Sequence, residues 1–121
     1  MGIPLLICDD SNMARKQVTR SLPEGWEVDV EYAANGEEGL AAIRQGKGEM
    51  VFLDLTMPRM DGYQVLEKIR EEQHKSVVIV ISGDIQPEAM ERVKSLGAID
   101  FIKKPVNKEK LKSVLHEFGL F

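Results

Sequence analysis

The feature of this sequence that most restricts its fold is a regular alternation of short apolar runs with amphipathic segments. Each of five apolar runs is followed by a segment whose apolar residues recur at helical spacing. Strands joined by crossover helices lie parallel in one sheet, so the alternation predicts an α/β fold in three layers, with helices on both faces of the sheet. The five runs lie at Ile3 to Cys8, Trp26 to Tyr32, Met50 to Leu53, Val77 to Ile81 and Ile99 to Ile102. In the second, Trp26, Val28, Val30 and Tyr32 alternate with acidic residues, which predicts a strand that buries these four side chains and exposes its other face.

Local capping signals agree with this alternation. A helix is predicted to begin at Asn12, and Asp61 is a predicted N-cap of the helix that follows the third run. Pro87 is typical of a first helical position, and Gly97 is typical of the position after a helix ends. The boundaries of the predicted elements are therefore supported by residue types as well as by periodicity.

Composition excludes several classes of protein. The 121 residues suffice for one domain, and a net charge of −4 with a pI near 5.2 argues against a general nucleic-acid partner. No apolar run approaches the roughly 20 residues that a membrane-spanning helix needs. The lone Cys8 has no internal disulfide partner, and the first residues lack the basic segment of a signal peptide, so we expect a cytoplasmic protein.

Charged and polar residues stand where the predicted strands end. Asp9 and Asp10 follow the first run, Asp54 follows the third, Ser82 ends the fourth and Lys104 follows the fifth. Each of these residues alone is most simply a turn former, a cap or a surface residue. Because the carboxyl ends of parallel strands meet at one edge of the sheet, we expect the five side chains to converge there.

Three converging carboxylates need compensating positive charge, because like charges raise one another's pKa values. A hard divalent cation prefers such oxygen ligands, and a lysine supplies a fixed positive charge. The same surroundings suit a phosphoryl group, whose oxygens are neutralised while a carboxylate attacks in line. The residues thus predict a metal-assisted phosphoryl acceptor. No glycine-rich phosphate loop follows the first run, which argues against nucleotide or flavin binding.

With these motifs the sequence resembles the receiver domain of two-component response regulators, and chemotaxis-type single-domain receivers most of all. The resemblance implies a doubly wound, flavodoxin-like sheet with strand order 2-1-3-4-5. Its motifs are Asp9-Asp10, the loop from Asp54 to Gly62, the segment Val80-Ile81-Ser82-Gly83 and the segment Phe101-Ile102-Lys103-Lys104-Pro105.

The resemblance implies a phosphoryl acceptor and a metal site. Asp54 is expected to accept the phosphoryl group from a sensor histidine kinase or a phosphotransfer protein, and Lys104 is expected to contact it. Mg²⁺, for which Mn²⁺ can substitute, is expected to bind Asp10, Asp54 and the backbone carbonyl of Thr56, with Asp9 acting through water.

The resemblance also implies a switch. Phosphorylation is expected to draw Ser82 toward Asp54 and to turn Phe101 inward, altering the surface of the fourth helix, the fifth strand and the fifth helix. Thr56 and Asp84 are expected to tune the lifetime of the phosphoryl group.

Two further implications concern the backbone and the extent of the domain. The peptide bond before Pro105 is expected to be cis. The resemblance runs from Ile3 to about Phe118, so residues 1–121 are expected to form one receiver domain, and the apolar end favours a domain taken from a longer protein. The output therefore stays open between a separate downstream protein and a fused output domain, with no nucleic acid or membrane bound through this domain.

Two alternative functions stay open at this stage. A haloacid-dehalogenase-like phosphatase also uses an aspartate nucleophile with Mg²⁺, but it requires a second aspartate two positions later, where this chain has Thr56. Its acidic pair also comes late in the chain, whereas Asp9-Asp10 comes first. A docking module without phosphorylation chemistry would be expected to lack one of the acceptor, acidic, hydroxyl or lysine groups, and all are present.

Overall fold

Strands and helices alternate along the whole of the described chain. The computed structural model describes residues 2–83 and 86–121. The elements are β1 Ile3–Cys8, α1 Asn12–Arg20, β2 Val28–Ala33, α2 Gly36–Arg44, β3 Met50–Leu53, α3 Gly62–Glu71, β4 Val77–Ser82, α4 Pro87–Ser95, β5 Asp100–Lys103 and α5 Lys108–Glu117. The predicted repeat of strand and helix is confirmed.

The five strands form one parallel sheet in the order β2-β1-β3-β4-β5. The predicted doubly wound topology is therefore confirmed. The chain moves outward from β1 to β2 and then crosses back to β3 on the other side of β1. A crevice opens at such a switch point, beyond the carboxyl ends of β1 and β3, and ligands of open α/β sheets bind there.

Burial on both faces follows from the alternation of side chains along each strand. On β1, Leu6 and Cys8 join one apolar cluster, which includes Val65 of α3 and Val93 of α4. Leu5 and Ile7 face the opposite way and join the cluster that packs against α1 and α5. The central strands are thus covered on both sides, as their continuous apolar sequences predict.

Two helix ends form as their residue types predict. The Asp61 side chain accepts a hydrogen bond from the backbone N–H of Gln64, whose side chain in turn accepts one from the Asp61 N–H, a complete capping box. Pro87 is the first residue of α4, and Gly97 takes the left-handed conformation (φ 107°) just after α4 ends.

The second strand differs from its prediction. Strand β2 begins at Val28, and Trp26 lies before it, with its ring stacked at 6.4 Å from Phe52 and its indole N–H bonded to the Leu120 carbonyl. Tyr32 was expected on the buried side, yet 51% of it is exposed. The reason is that β2 is an edge strand, which the neighbouring helix covers only in part. The fifth strand starts one residue later than predicted, at Asp100.

Within residues 2–83 and 86–121, no helix has the length and apolarity to cross a membrane. The cytoplasmic location expected from the sequence stays a prediction.

Candidate functional site

Three carboxylates meet at the carboxyl edge of the sheet. Asp9 and Asp10 follow β1, Asp54 follows β3, and the backbone N–H of Asp54 donates to the Cys8 carbonyl at 2.9 Å, which continues the pairing of the two strands. One carboxylate oxygen from each aspartate lies within 4.8 Å of the others. Asp9 and Asp54 are 4% and 6% exposed, while Asp10 is exposed.

Lys104 brings positive charge to this cluster from the far side of β4. Its backbone N–H donates to the Ser82 carbonyl at 2.9 Å, which extends the β4–β5 pairing, and the Lys104–Pro105 peptide bond is cis. The ammonium nitrogen lies 2.9 Å from Asp9 Oδ2 and 3.5 Å from Asp54 Oδ1. Lys104 therefore bridges two carboxylates and lies closer to Asp9 than to the predicted acceptor.

Protonation of these groups reflects their burial and their neighbours. Burial, reinforced by the Asp9 carboxylate, raises the pKa of Asp54 to about 6, although Lys104 opposes the shift. Burial alone would lower the pKa of Lys104, but its hydrogen bond to Asp9 and the charge of Asp54 hold that pKa above its ordinary value. Lys104 is thus a fixed cation, and its charge only partly offsets the repulsion around Asp54.

The loop after Asp54 is fastened to the backbone beneath it. The Gly62 N–H donates to the Leu55 carbonyl at 2.9 Å, and a side chain at Gly62 would bring its Cβ to 2.9 Å from Leu55 Cα. Thr56, in the same loop, is exposed. Helix α3 thus starts directly against the backbone of Asp54 and Leu55.

The other predicted site residues lie around this cluster at different depths. Ser82 ends β4 and is 2% exposed. Phe101 on β5 is half-buried and packs against the apolar core cluster that contains Val80. Thr56 follows Asp54 by two residues, and the role of its backbone carbonyl as a metal ligand stays a prediction. Asp84 lies outside the described residues.

Cys8 lies buried behind the cluster. Its thiol donates to the Asn35 carbonyl, with Sγ 3.5 Å from that oxygen, and Sγ lies 3.6 Å from Met57 Sδ. Burial, with the charges of Asp9 and Asp54, raises the pKa of the Cys8 thiol to about 12. A thiol in this state is a packing group, as its position in an apolar run predicts.

Arg15 is a residue near the cluster that the sequence did not single out. Its guanidinium donates to the Asp9 carbonyl at 2.6 Å and to Asn12 Oδ1 at 3.4 Å. The available signal was its place in the first turn of α1, from which a long side chain reaches back toward the residues before the helix.

The donor set fits a magnesium ion. Mg²⁺ takes oxygen ligands at about 2.0–2.1 Å in octahedral geometry, so two ligands on opposite sides of the ion are about 4.2 Å apart. The carboxylate oxygens of Asp9, Asp10 and Asp54 lie within 4.8 Å of one another, which is close to that span. The candidate ligands are all carboxylates, which favour Mg²⁺ over a softer metal.

Comparison with known proteins identifies the family. The family model described as response regulator receiver domain matches residues 5–116. The chain belongs to the response regulator receiver domain family. It is therefore a phosphoryl-accepting signalling domain of two-component systems, and the acidic pocket of such domains binds Mg²⁺.

Individual relatives of this receiver agree. It is 43% identical over 85% of its length to a protein-glutamate methylesterase/protein-glutamine glutaminase from Geobacter sulfurreducens, of which it spans 28%. It is 36% identical over 88% of its length to the chemotaxis protein CheY of Treponema pallidum, of which it spans 76%. The first of these relatives is thus far longer than the matched domain.

A solved structure is similar over most of the fold. The crystal structure of a CheX–CheY–BeF₃–Mg²⁺ complex from Borrelia burgdorferi contains a chain that is 35% identical to the receiver, with a TM-score of 0.84. The match covers 94% of this receiver and 87% of that chain.

Removal of one charge from the cluster is expected to stabilise the metal-free protein. Asp10 has no hydrogen bond or ion pair within the described parts of the chain, so Asp10→Asn removes repulsion and leaves no cavity. We expect the free energy of unfolding in EDTA to rise by less than about 1 kcal/mol in urea titrations, the size typical of interactions between exposed charges. Asp100→Asn, the same change at the opposite end of the sheet, is the control and should have little effect. A lower stability for Asp10→Asn would contradict the repulsion.

Close packing at Gly62 makes a second prediction. Gly62→Ala places a methyl group against the backbone of Asp54 and Leu55, so we expect unfolding to become easier by about 1 to 3 kcal/mol. Gly83→Ala is the matched control, because a Cβ at Gly83 meets no atom of residues 2–83 and 86–121 within 4 Å, and its change should stay within about 0.5 kcal/mol. Equal stabilities of the two variants would show that the loop yields without cost.

Proposed function

We propose that Asp54 is the residue of this receiver that accepts the phosphoryl group, from a histidine kinase or a phosphotransfer protein. The observation that supports this most directly is the position of Asp54: a carboxylate 6% exposed, flanked by other carboxylates and 3.5 Å from Lys104 Nζ. An Asp54 oxygen forms the new bond to phosphorus as the bond from the donor nitrogen to phosphorus breaks. The donor's electron pair stays on that nitrogen.

The neighbouring side chains prepare this reaction. Asp10, Asp54 and the Thr56 carbonyl would hold Mg²⁺, with Asp9 acting through water, and Mn²⁺ would substitute. An ion held there would supply positive charge that offsets the charge of the phosphoryl oxygens. Lys104, which bridges Asp9 and Asp54, would move its ammonium onto a phosphoryl oxygen, and this charge-assisted hydrogen bond would stabilise the acyl phosphate.

Signal output would follow from the ends of β4 and β5. Ser82 and Lys104 are joined through the backbone at 2.9 Å, so a shift of either residue is transmitted to the other strand. Half-buried Phe101 would turn inward, and the surface of α4, β5 and α5 would change with it. Thr56 and Asp84 would set how fast water removes the phosphoryl group.

The relatives support chemotaxis as the pathway. Their names place them among protein-glutamate methylesterases and chemotaxis proteins. We propose that residues 1–121 act as one receiver unit whose output is either a fused domain or a separate protein partner. The dehalogenase-like alternative loses its support, because Thr56 stands at the position of its second aspartate and the family model is that of a receiver.

Chemical phosphorylation tests the acceptor. With Mg²⁺ and acetyl phosphate, we expect the intact mass of the protein to rise by one phosphoryl group, and the adduct to be absent in EDTA. Asp54→Asn should take up none, because its amide is a poor nucleophile, whereas Asp100→Asn, which leaves the cluster untouched, should be labelled like wild type.

Two results would contradict this assignment. An adduct of equal yield on Asp54→Asn would move the acceptor to another residue. Absence of any adduct on the wild-type protein, with both acetyl phosphate and a histidine-containing phosphotransfer protein as donors, would favour the docking module.

A further inference from the structure

The two adjacent aspartates of the acidic pair are held very differently. Every polar group of Asp9 has a partner: its N–H donates to the Ala33 carbonyl, its carbonyl accepts from Arg15, and its carboxylate accepts from the Ser11 N–H and from Lys104. Within the described chain, the Asp10 carboxylate has no hydrogen-bond or ion-pair partner, and its residue is exposed. Asp10 therefore depends on its backbone for its direction.

Arg15 donates a hydrogen bond to the backbone directly before Asp10. Its side chain belongs to the first turn of α1, where its own N–H bonds back to the Ser11 carbonyl, and its Nη1 lies 2.6 Å from the Asp9 carbonyl oxygen. The peptide group is planar, so the direction of the Asp9 carbonyl also fixes the Asp10 nitrogen and Cα. Among the described residues, Arg15 forms no ion pair, and its contacts are to this carbonyl and to Asn12 Oδ1.

We propose that Arg15 is a positioning residue of the metal pocket, which sets the direction of Asp10 through the Asp9–Asp10 peptide group. This inference rests on the proposed function, in which Asp10 is a ligand of Mg²⁺. Arg15 touches neither the metal nor the phosphoryl group. It orients Asp10 indirectly, through its hydrogen bond to the Asp9 carbonyl. Loss of such outer partners of metal ligands typically weakens metal binding by 10- to 100-fold.

The sign of the effect separates positioning from charge. A guanidinium beside the pocket repels a cation, so if only its charge mattered, its removal would tighten Mg²⁺ binding. If Arg15 orients Asp10, its removal leaves the ligand free to turn away, and binding weakens. If Arg15 only ties α1 to β1, its removal lowers stability and leaves the affinity for Mg²⁺ unchanged.

The test is an Mg²⁺ titration of the full chain, followed through the backbone amide NMR signals around Asp10. We expect Arg15→Met, which removes charge and donors but keeps helix propensity, to weaken Mg²⁺ binding by at least tenfold. Arg15→Lys, which keeps a donor and the charge, should recover part of the loss. Lys16→Met removes the same charge from the neighbouring exposed position of α1 and should stay within twofold of wild type. Urea titration in EDTA reports the stability of each variant separately.

A second readout distinguishes a positioning residue from a catalytic one. At saturating Mg²⁺, the rate of labelling by acetyl phosphate should return to within threefold of wild type for Arg15→Met, because only assembly of the metal pocket is impaired.

Several outcomes would overturn the inference. Unchanged or tighter Mg²⁺ binding by Arg15→Met would do so, as would a complete lack of recovery in Arg15→Lys. Should Arg15→Met fail to fold, Arg15→Gln, whose side chain is too short to keep the bond, is judged by the same criterion. If the wild-type protein binds no Mg²⁺, the proposed function and this inference are both overturned. If the wild-type protein binds Mg²⁺ and Arg15→Met binds it equally well, only the inference is overturned.

Discussion

At the carboxyl edge of the sheet, the buried carboxylate of Asp54 lies beside two others. Asp54 is 6% exposed, and burial with the charge of Asp9 raises its pKa to about 6. Lys104 pairs with Asp54 and also with Asp9, so its single charge is shared between the two. A pocket of three carboxylates and one shared lysine keeps an excess of negative charge, and it therefore favours a cation that offsets this charge.

The topology of the sheet brings the three carboxylates and Lys104 together. Because β1 lies between β2 and β3, the residues after β1 and β3 border the crevice at the switch point. Lys104 arrives from β5 by way of a backbone bond to Ser82 on β4. Lys104 thus connects Asp54 with residues that lie two strands away in the same sheet.

Metal binding in the proposed pocket involves more than the ligands. Asp9 is held by four hydrogen-bonding partners, whereas Asp10 takes its direction from the backbone that Arg15 fixes. Rigid and free ligands side by side allow an ion to enter without a costly rearrangement of the sheet. In this proposal Arg15 of α1 fixes the backbone at Asp9 and Asp10, and the exposed Asp10 carboxylate adjusts to the ion.

Sequence patterns alone predicted the alternation of strands and helices, the two-sided burial of the central strands and the edge at which the acidic residues meet. These follow from periodicity and from the rule that parallel strands end at one edge. Local patterns were less informative at the periphery: Tyr32 was expected to be buried but is half exposed, because the cover over an edge strand depends on how a distant helix packs. Two contacts are visible only in the three-dimensional structure: Lys104 lies nearer Asp9 than Asp54, and Arg15 donates to the Asp9 carbonyl. Such contacts depend on the packing of several elements at once and on side-chain rotamers, neither of which local sequence periodicity encodes.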